Sequence, residues 1–159
     1  HKSEKALEAL DTLSDMLKYS LYQVKEEVSL AEEMKYVDKF LHLSKIRYSY
    51  PLALDIELPE ELYDIKIPQF LLLPLVENAI KHGDLKNQDQ AFHLRFNLLP
   101  NRLVIQAQNK KGKQEKDATG GIGLLNLEKR LKLKYGQEAD MQINEDEDFF
   151  HLELNIPQP

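Results

Sequence analysis

Glu77-Asn78-Ala79-Ile80-Lys81-His82-Gly83 and, further on, Gly120-Gly121-Ile122-Gly123-Leu124-Leu125-Asn126 are the stretches on which the reading of this chain turns. The first has the periodicity of a helix, and residues three and four apart are helical neighbours, so Asn78, Lys81 and His82 share one face. An amide oxygen such as that of Asn78 is a hard ligand suited to a phosphate-bound magnesium ion. Lys81 supplies positive charge and His82 a hydrogen-bonding ring. The second stretch supplies glycines ahead of an amphipathic segment from Ile122 to Tyr135. Glycines let backbone N–H groups approach phosphate oxygens, and a helix N-terminus adds a favourable dipole. Neither motif decides anything alone. In this order, with strand-like sequence between them, they indicate a nucleotide site.

The flanking sequence supplies the scaffold. Glu4 to Gln23 reads as a helix with Ala6, Leu10, Leu13, Leu17 and Leu21 in one apolar stripe. Ser29-Leu30-Ala31-Glu32 fits a capping box and opens a second helix, with Leu30, Met34, Val37, Leu41 and Tyr48 on one side and Pro51 as its terminator. The two stripes either pack on their own domain or form a dimer seam, and both options stay open at this point. From Leu52 the pattern becomes an α/β mixture. Leu52, Leu54, Ile56 and Leu58 alternate as a half-buried strand. Pro68 suits the first turn of the next helix, within which Pro74 should bend the backbone. Phe92 to Leu98 and Leu103 to Ala107 read as two strands joined at Pro100-Asn101. The helix after the glycine motif should stop at Gly136, and two last strands follow around Met141–Ile143 and Phe150–Ile156. The expected fold class is α+β: a two-layer sandwich of a mixed, largely antiparallel sheet with helices on one face, preceded by two helices. The expected division is 1–50, helical, and 51–159, α/β.

The 159 residues can bury a real core, with 42% hydrophobic residues, 30% charged residues and a formal net charge of -6. An acidic balance argues against a generic nucleic-acid binder, which would carry a basic stripe. There is no cysteine, which rules out disulfides and thiolate metal sites. No apolar run approaches the roughly 18 residues of a membrane span. The chain does not open on Met, so it is expected to be a fragment whose membrane anchor and sensor lie outside it.

At its two central motifs the chain resembles the GHKL superfamily of ATP-binding domains, and more narrowly the LytS/YehU-like sensor histidine kinases. That family's Ile-Pro-x-x-Leu-Leu-x-Pro-Leu-Val-Glu-Asn-Ala-Ile-Lys-His-Gly run reads here from Ile67 to Gly83. Its Gly-Ile-Gly-Leu-x-Asn-x-x-x-Arg-Leu run is matched over Gly121 to Leu131, followed by Tyr135-Gly136. Leu13 to Tyr19 resembles the helix after the family's phosphoacceptor. The resemblance implies a GHKL (Bergerat) fold over 51–159, with 1–50 the C-terminal part of a dimerisation region. It implies ATP and Mg2+ as ligands, held by Asn78, Lys81, His82, Asn109, Gly121, Gly123 and Leu124, with Asn78 on the metal. It also implies a homodimer in the intact protein and a response-regulator partner, often of the LytTR type. No nucleic-acid contact is expected. The chain would be a cytoplasmic domain of a protein anchored in the bacterial inner membrane.

Two departures from the family pattern shape the expectation. The Asn-Pro-His-Phe-Leu-Phe-Asn phosphoacceptor box is absent and would lie before residue 1; His1 lacks those neighbours and is not assigned the role. Many relatives carry Asp-Asn-Gly after the third strand, where the Asp accepts from the adenine amine. Asn109 stands at that position, with an uncharged carbonyl oxygen whose orientation neighbours must fix. In gyrase-like relatives a catalytic Glu precedes the magnesium Asn by four residues, and Pro74 is found there. This favours phosphoryl transfer to a protein histidine over ATP hydrolysis. The polar segment Lys110 to Thr119 occupies the place of the family's ATP lid, with Lys110, Lys111 and Lys113 all open as phosphate contacts. The rival reading is a catalytically inactive, nucleotide-binding scaffold that signals through dimer contacts. Structural roles also exist: Glu77 can pair with Lys81, and Lys81 and His82 both suit a helix C-terminus.

Overall fold

The computed structural model describes residues 2–22, 24–113 and 122–158. It contains two compact units, His1–Pro51 with Tyr63–Leu73, and Leu52–Leu62 with Pro74–Pro159.

The first unit is built on α1 (Lys2–Tyr22) and α2 (Leu30–Ile46). The capping box forms as expected. Ser29 Oγ accepts from the Glu32 N–H at 3.1 Å, and Glu32 Oε2 accepts from the Ser29 N–H at 2.9 Å. These bonds, with the Lys25 ammonium, hold the Glu32 carboxyl down at about 2. The helix ends at Ile46 with Arg47 as its cap, so Tyr48 lies beyond it and Pro51 follows at a distance. Its buried face is Leu30, Glu33, Tyr36, Val37, Leu41 and Ser44. Met34, expected there, is only half-buried, because Glu33 and Tyr36 take the inward positions. On α1 the inward residue is Met16, and the Asp15–Lys39 pair at 2.8 Å ties the two helices together. The expected stripe faces away: Leu10, Leu13, Leu17 and Leu21 are 61%, 46%, 50% and 65% exposed. Among the described residues that stripe is not packed into the core.

A two-stranded antiparallel sheet, unforeseen in the sequence, joins β1 (Glu27–Ser29) to a strand at Lys66–Pro68, with Val28 opposite Ile67. Pro68 therefore closes a strand and does not open a helix. The next helix, α3, begins at Leu73 and runs to His82. The reason is visible at residues 70–72: Phe70 has φ 60, outside the right-handed region. The N–H groups of Phe70, Leu71 and Leu72 all donate to the Glu33 carboxylate. Pro74 then falls in the first turn of α3, where a missing N–H costs nothing and no bend is needed.

The second unit holds the five-stranded sheet. With β2 (Leu54–Glu57), β3 (Lys66–Pro68 of the first unit), β4 (Phe92–Leu99), β5 (Arg102–Lys110), β6 (Asp140–Glu145) and β7 (Phe149–Pro157), the order is β2-β4-β5-β7-β6. The β2–β4 pair is parallel and the others antiparallel. The strand expected over 52–58 shrinks to an edge strand with neither face fully covered. Phe92, Leu94, Phe96, Leu103, Ile105, Ala107, Leu152, Leu154 and Ile156 alternate onto one buried face, as period-two patterning requires. The other face is polar, carrying an Asp55–Arg95 pair, Asp55–His93 at 2.8 Å and Gln106–Glu153 at 2.8 Å. Arg95 is the main reason that Asp55 titrates below the usual carboxylate range. α4 (Ile122–Tyr135) buries Leu124, Leu127 and Leu131 and stops at Gly136, whose φ of 60 is the left-handed turn glycine permits. The fold is the expected α+β sandwich.

Candidate functional site

The site is organised along α3. Leu75, Val76, Ala79 and Ile80 are its buried face. The opposite side carries Glu77 and Lys81, both exposed, with Asn78 and His82 half-buried between. Helical spacing therefore sets Asn78 beside Lys81 and His82, on the border between the helix's packed and open sides.

The last turn of α3 is pinned to the end of β5. The Gly112 N–H donates to the His82 carbonyl at 2.7 Å, and the Asp84 N–H donates to the Lys110 carbonyl at 2.9 Å. Gly83 pairs with Lys111 as an antiparallel bridge. This contact leaves no space for a side chain. A Cβ on Gly83 would stand 2.5 Å from the Ala79 carbonyl oxygen, 3.1 Å from Leu85 Cδ2 and 3.2 Å from Asn109 Nδ2. Asn109 is thereby brought against the end of α3, buried to 2% exposure on the helix-covered face of the sheet. Its Nδ2 donates to the Lys110 carbonyl at 2.9 Å. That bond uses one of the two amide N–H donors and fixes the orientation of the side chain, with the oxygen as its acceptor.

The first turn of α3 meets the start of α4. Leu124 is buried, and a Cβ on Gly123 would have Pro74 Cβ, at 3.9 Å, as its nearest described neighbour. Nothing described in the fold requires a glycine at 123. Its absence of a side chain keeps the backbone there open to approach from outside. Gly121, the remaining nominated residue, lies outside the described residues, as does the lid segment from Gln114. Of the lid lysines, Lys111 is engaged elsewhere: its ammonium donates to the Asp146 carbonyl at 2.6 Å and reaches Glu145 at 3.3 Å. Asp146 in turn accepts the N–H groups of Asp148 and Phe149, the main cause of its lowered pKa. The base of the lid is thus anchored on the β6–β7 turn. A polar cleft of about 570 Å3 bounded by Arg102, Glu138, Asp140 and Glu153 shares no residue with this site.

One element therefore gathers the nominated residues: Asn109 at one end of α3, Gly123 and Leu124 at the other, and Asn78, Lys81 and His82 along it. The chain is similar to known histidine kinases. The histidine kinase family profile matches residues 1–52. Sensor histidine kinase BtsS of Escherichia coli (strain K12) is 29% identical over 161 residues, covering 98% of this chain. Sensor protein kinase HptS of Staphylococcus aureus (strain USA300) is 31% identical over 145 residues, covering 82% of it.

Over most of its length the chain is similar to sensor histidine kinases. It spans 28% of the length of each of those two relatives. The catalytic domain of histidine kinase ThkA, in a nucleotide-free form, shares its fold, with a TM-score of 0.57 at 14% identity over 82% of this chain and 94% of that one. ThkA solved in complex with response regulator protein TrrA gives 0.54 at 15% identity, over 99% of this chain and 49% of that one. Among the described residues no helix is long and apolar enough to cross a membrane.

Two residues that shape the site carry no signal in the sequence. Gly83 was quoted only as the end of a motif, yet it sets the approach of α3 to Asn109. Glu33 passed unnoticed inside a charged helix face. Its burial depends on partners far along the chain, so no local signal marks it.

Proposed function

We propose that this chain is the ATP-binding catalytic region of a two-component sensor histidine kinase. It would transfer the γ-phosphoryl group of ATP to a histidine upstream of these residues. The phosphorus–oxygen bond to the β-phosphate breaks as a bond to an imidazole nitrogen forms, and ADP leaves. The observation carrying this reading is the assembly along α3 of an amide-bearing face between a buried base-reading candidate and a glycine that the fold itself does not need. In this reading Asn109 Oδ1 accepts from the adenine amine. Lys81 and His82 meet the phosphates, and backbone N–H groups at Gly121, Gly123 and Leu124 cradle them. Asn78 would hold Mg2+, which neutralises phosphate charge when bound. Catalysis of phosphoryl transfer is mostly positioning and electrostatics, and this set supplies both.

Pro74 supports transfer over hydrolysis. It occupies the first turn of α3 beside Gly123, so an apolar ring stands where a water-activating carboxylate would be needed. The exposed leucines of α1 support a homodimer of the intact protein through that helix. The ThkA–TrrA complex supports a response regulator as the next acceptor, through its Asp, with a LytTR regulator suggested by family resemblance. A cytoplasmic location with an inner-membrane anchor elsewhere in the protein completes the reading. The neutral Asn109 favours the rival, a non-catalytic scaffold, to the extent that it weakens adenine binding.

One experiment tests the nucleotide site. Calorimetric titration with a non-hydrolysable ATP analogue, with and without Mg2+, should show magnesium-dependent binding that Asn78→Ala removes while the fold is retained. Magnesium dependence unchanged in the variant would sink the Asn78 assignment. No binding by the wild type would overturn the nucleotide-binding reading of this site.

A further inference from the structure

Glu33 is 1% exposed, and its carboxylate accepts three backbone N–H groups from a loop distant in sequence. Oε1 accepts the Phe70 N–H at 2.6 Å, and Oε2 accepts the N–H groups of Leu71 and Leu72 at 3.0 and 3.1 Å. Three convergent backbone donors are what make a buried carboxylate tolerable. Such convergence also demands an unusual chain path. Phe70 meets that demand at φ 60, a left-handed conformation that a bulky aromatic residue adopts only when its surroundings force it.

The same short loop is gripped from other sides within the helical unit. Gln69, 2% exposed, accepts the Lys25 N–H at 2.8 Å. The Phe70 ring stacks edge-on against Tyr19 of α1 and Tyr36 of α2, with centroids 5.6 and 5.4 Å apart. Ile67 pairs with Val28 in the small sheet. The loop runs without a break into α3, and the chain passes from one compact unit to the other between Leu73 and Pro74. Asn78 sits in the second turn of that helix.

We infer that Glu33 is a positioning residue, whose grip on the N–H groups of 70–72 sets where α3 begins and so couples the helical unit to the nucleotide helix. A helix is stiff along its axis, so any rearrangement of α1 and α2 that releases Glu33 frees the first turn of α3 and changes the placement of Asn78. Resting on the nucleotide-binding reading for its consequence, the coupling itself is independent of it.

Amide hydrogen exchange and analogue binding on this whole chain test the coupling separately. Glu33→Gln keeps the volume but turns one of the two acceptor oxygens into a donor facing backbone donors. Exchange at residues 70–76 should quicken at least about tenfold in that variant, with β5, β7 and α4 unchanged. Affinity for the magnesium-loaded ATP analogue should fall by a similar factor, with less change for the metal-free analogue. Glu33→Asp, still an acceptor, should recover part of both. In the wild type, saturating analogue should slow exchange of the three Glu33-bound amides, because coupling is reciprocal; this holds even where the Gln variant fails to fold. Uniform acceleration across the chain, or none, overturns the inference, as does unchanged analogue affinity in a variant with a loosened loop. If the wild type binds no analogue, the functional reading fails, and exchange confined to 70–76 still upholds the coupling.

Discussion

Replacing Gly83 by alanine adds a single methyl group at the tightest point of the α/β unit. That carbon would stand 2.5 Å from the Ala79 carbonyl oxygen, well inside the 3.0 Å that real Cβ atoms respect, and the neighbour is backbone that cannot rotate away. Relief needs a retreat of about 0.5 Å. Moving Gly83 pulls on its own N–H bond to Ala79 at 2.8 Å and on the Gly112–His82 and Asp84–Lys110 bonds flanking it. Overpacking of this kind costs about 1–3 kcal/mol, and each weakened hydrogen bond roughly 0.5–1.5. The smaller entropy of the unfolded alanine chain returns about 0.4–1 kcal/mol. A net loss of about 2–3 kcal/mol is expected. The matched control is Gly123→Ala, where the added carbon meets nothing described nearer than 3.9 Å. A helical alanine there should gain up to about 1 kcal/mol. Because the chain has two units, the assay should read the α/β unit itself, through amide exchange of β4, β5 and α3 under urea. A Gly83→Ala loss below about 0.5 kcal/mol, or one equal to that of the control, would refute the claim that the α3–β5 contact needs this glycine.

The control variant carries its own prediction: Gly123→Ala should bind the ATP analogue at least about tenfold more weakly despite an unharmed fold, and unchanged affinity by calorimetry would remove Gly123 from the site. Asn109→Ala should lower adenine-nucleotide affinity by roughly one to two powers of ten, through an unpaired adenine amine, as measured by competition between ATP and GTP analogues. Asn109→Asp should destabilise the unliganded protein by about 1–3 kcal/mol in denaturant titration, since a buried carboxylate would replace the donor to the Lys110 carbonyl. Glu32 gives a pH signature. Its folded pKa, about 2, lies below the ordinary glutamate value of 4.5, so its stabilising effect is full above the latter and is lost as pH falls from about 4.5 to about 2. Acid titration of helical content should show Glu32→Gln flattening that part of the profile.

Much of the scaffold could be read from neighbours a few residues apart. Ser29 and Glu32 satisfy each other across three positions, Gly136 ends α4 by its own φ, and alternation in β4, β5 and β7 picks out the buried face. The amide-bearing face of α3 is equally local, since Asn78, Lys81 and His82 need only helical spacing to meet. These features rest on backbone geometry and side-chain periodicity, which the order of residues dictates directly.

Other features depended on what lies across the fold. The start of α3 shifted from Pro68 to Leu73 because a carboxylate from position 33 captured three amides before the helix could use them. The leucine stripe of α1 is periodic whether it faces inward or outward, and only the packing of Met16 and Tyr19 shows that it turns away. Gly83 and Gly123 look alike as letters, yet the atoms around the first exclude a methyl group and those described around the second do not. Sequence determined the elements, the sheet's buried face and the chemistry available on α3. Tertiary structure alone decided which charge is buried, which glycine is structural and which apolar face is left open, because each depends on atoms brought close by folding from far along the chain.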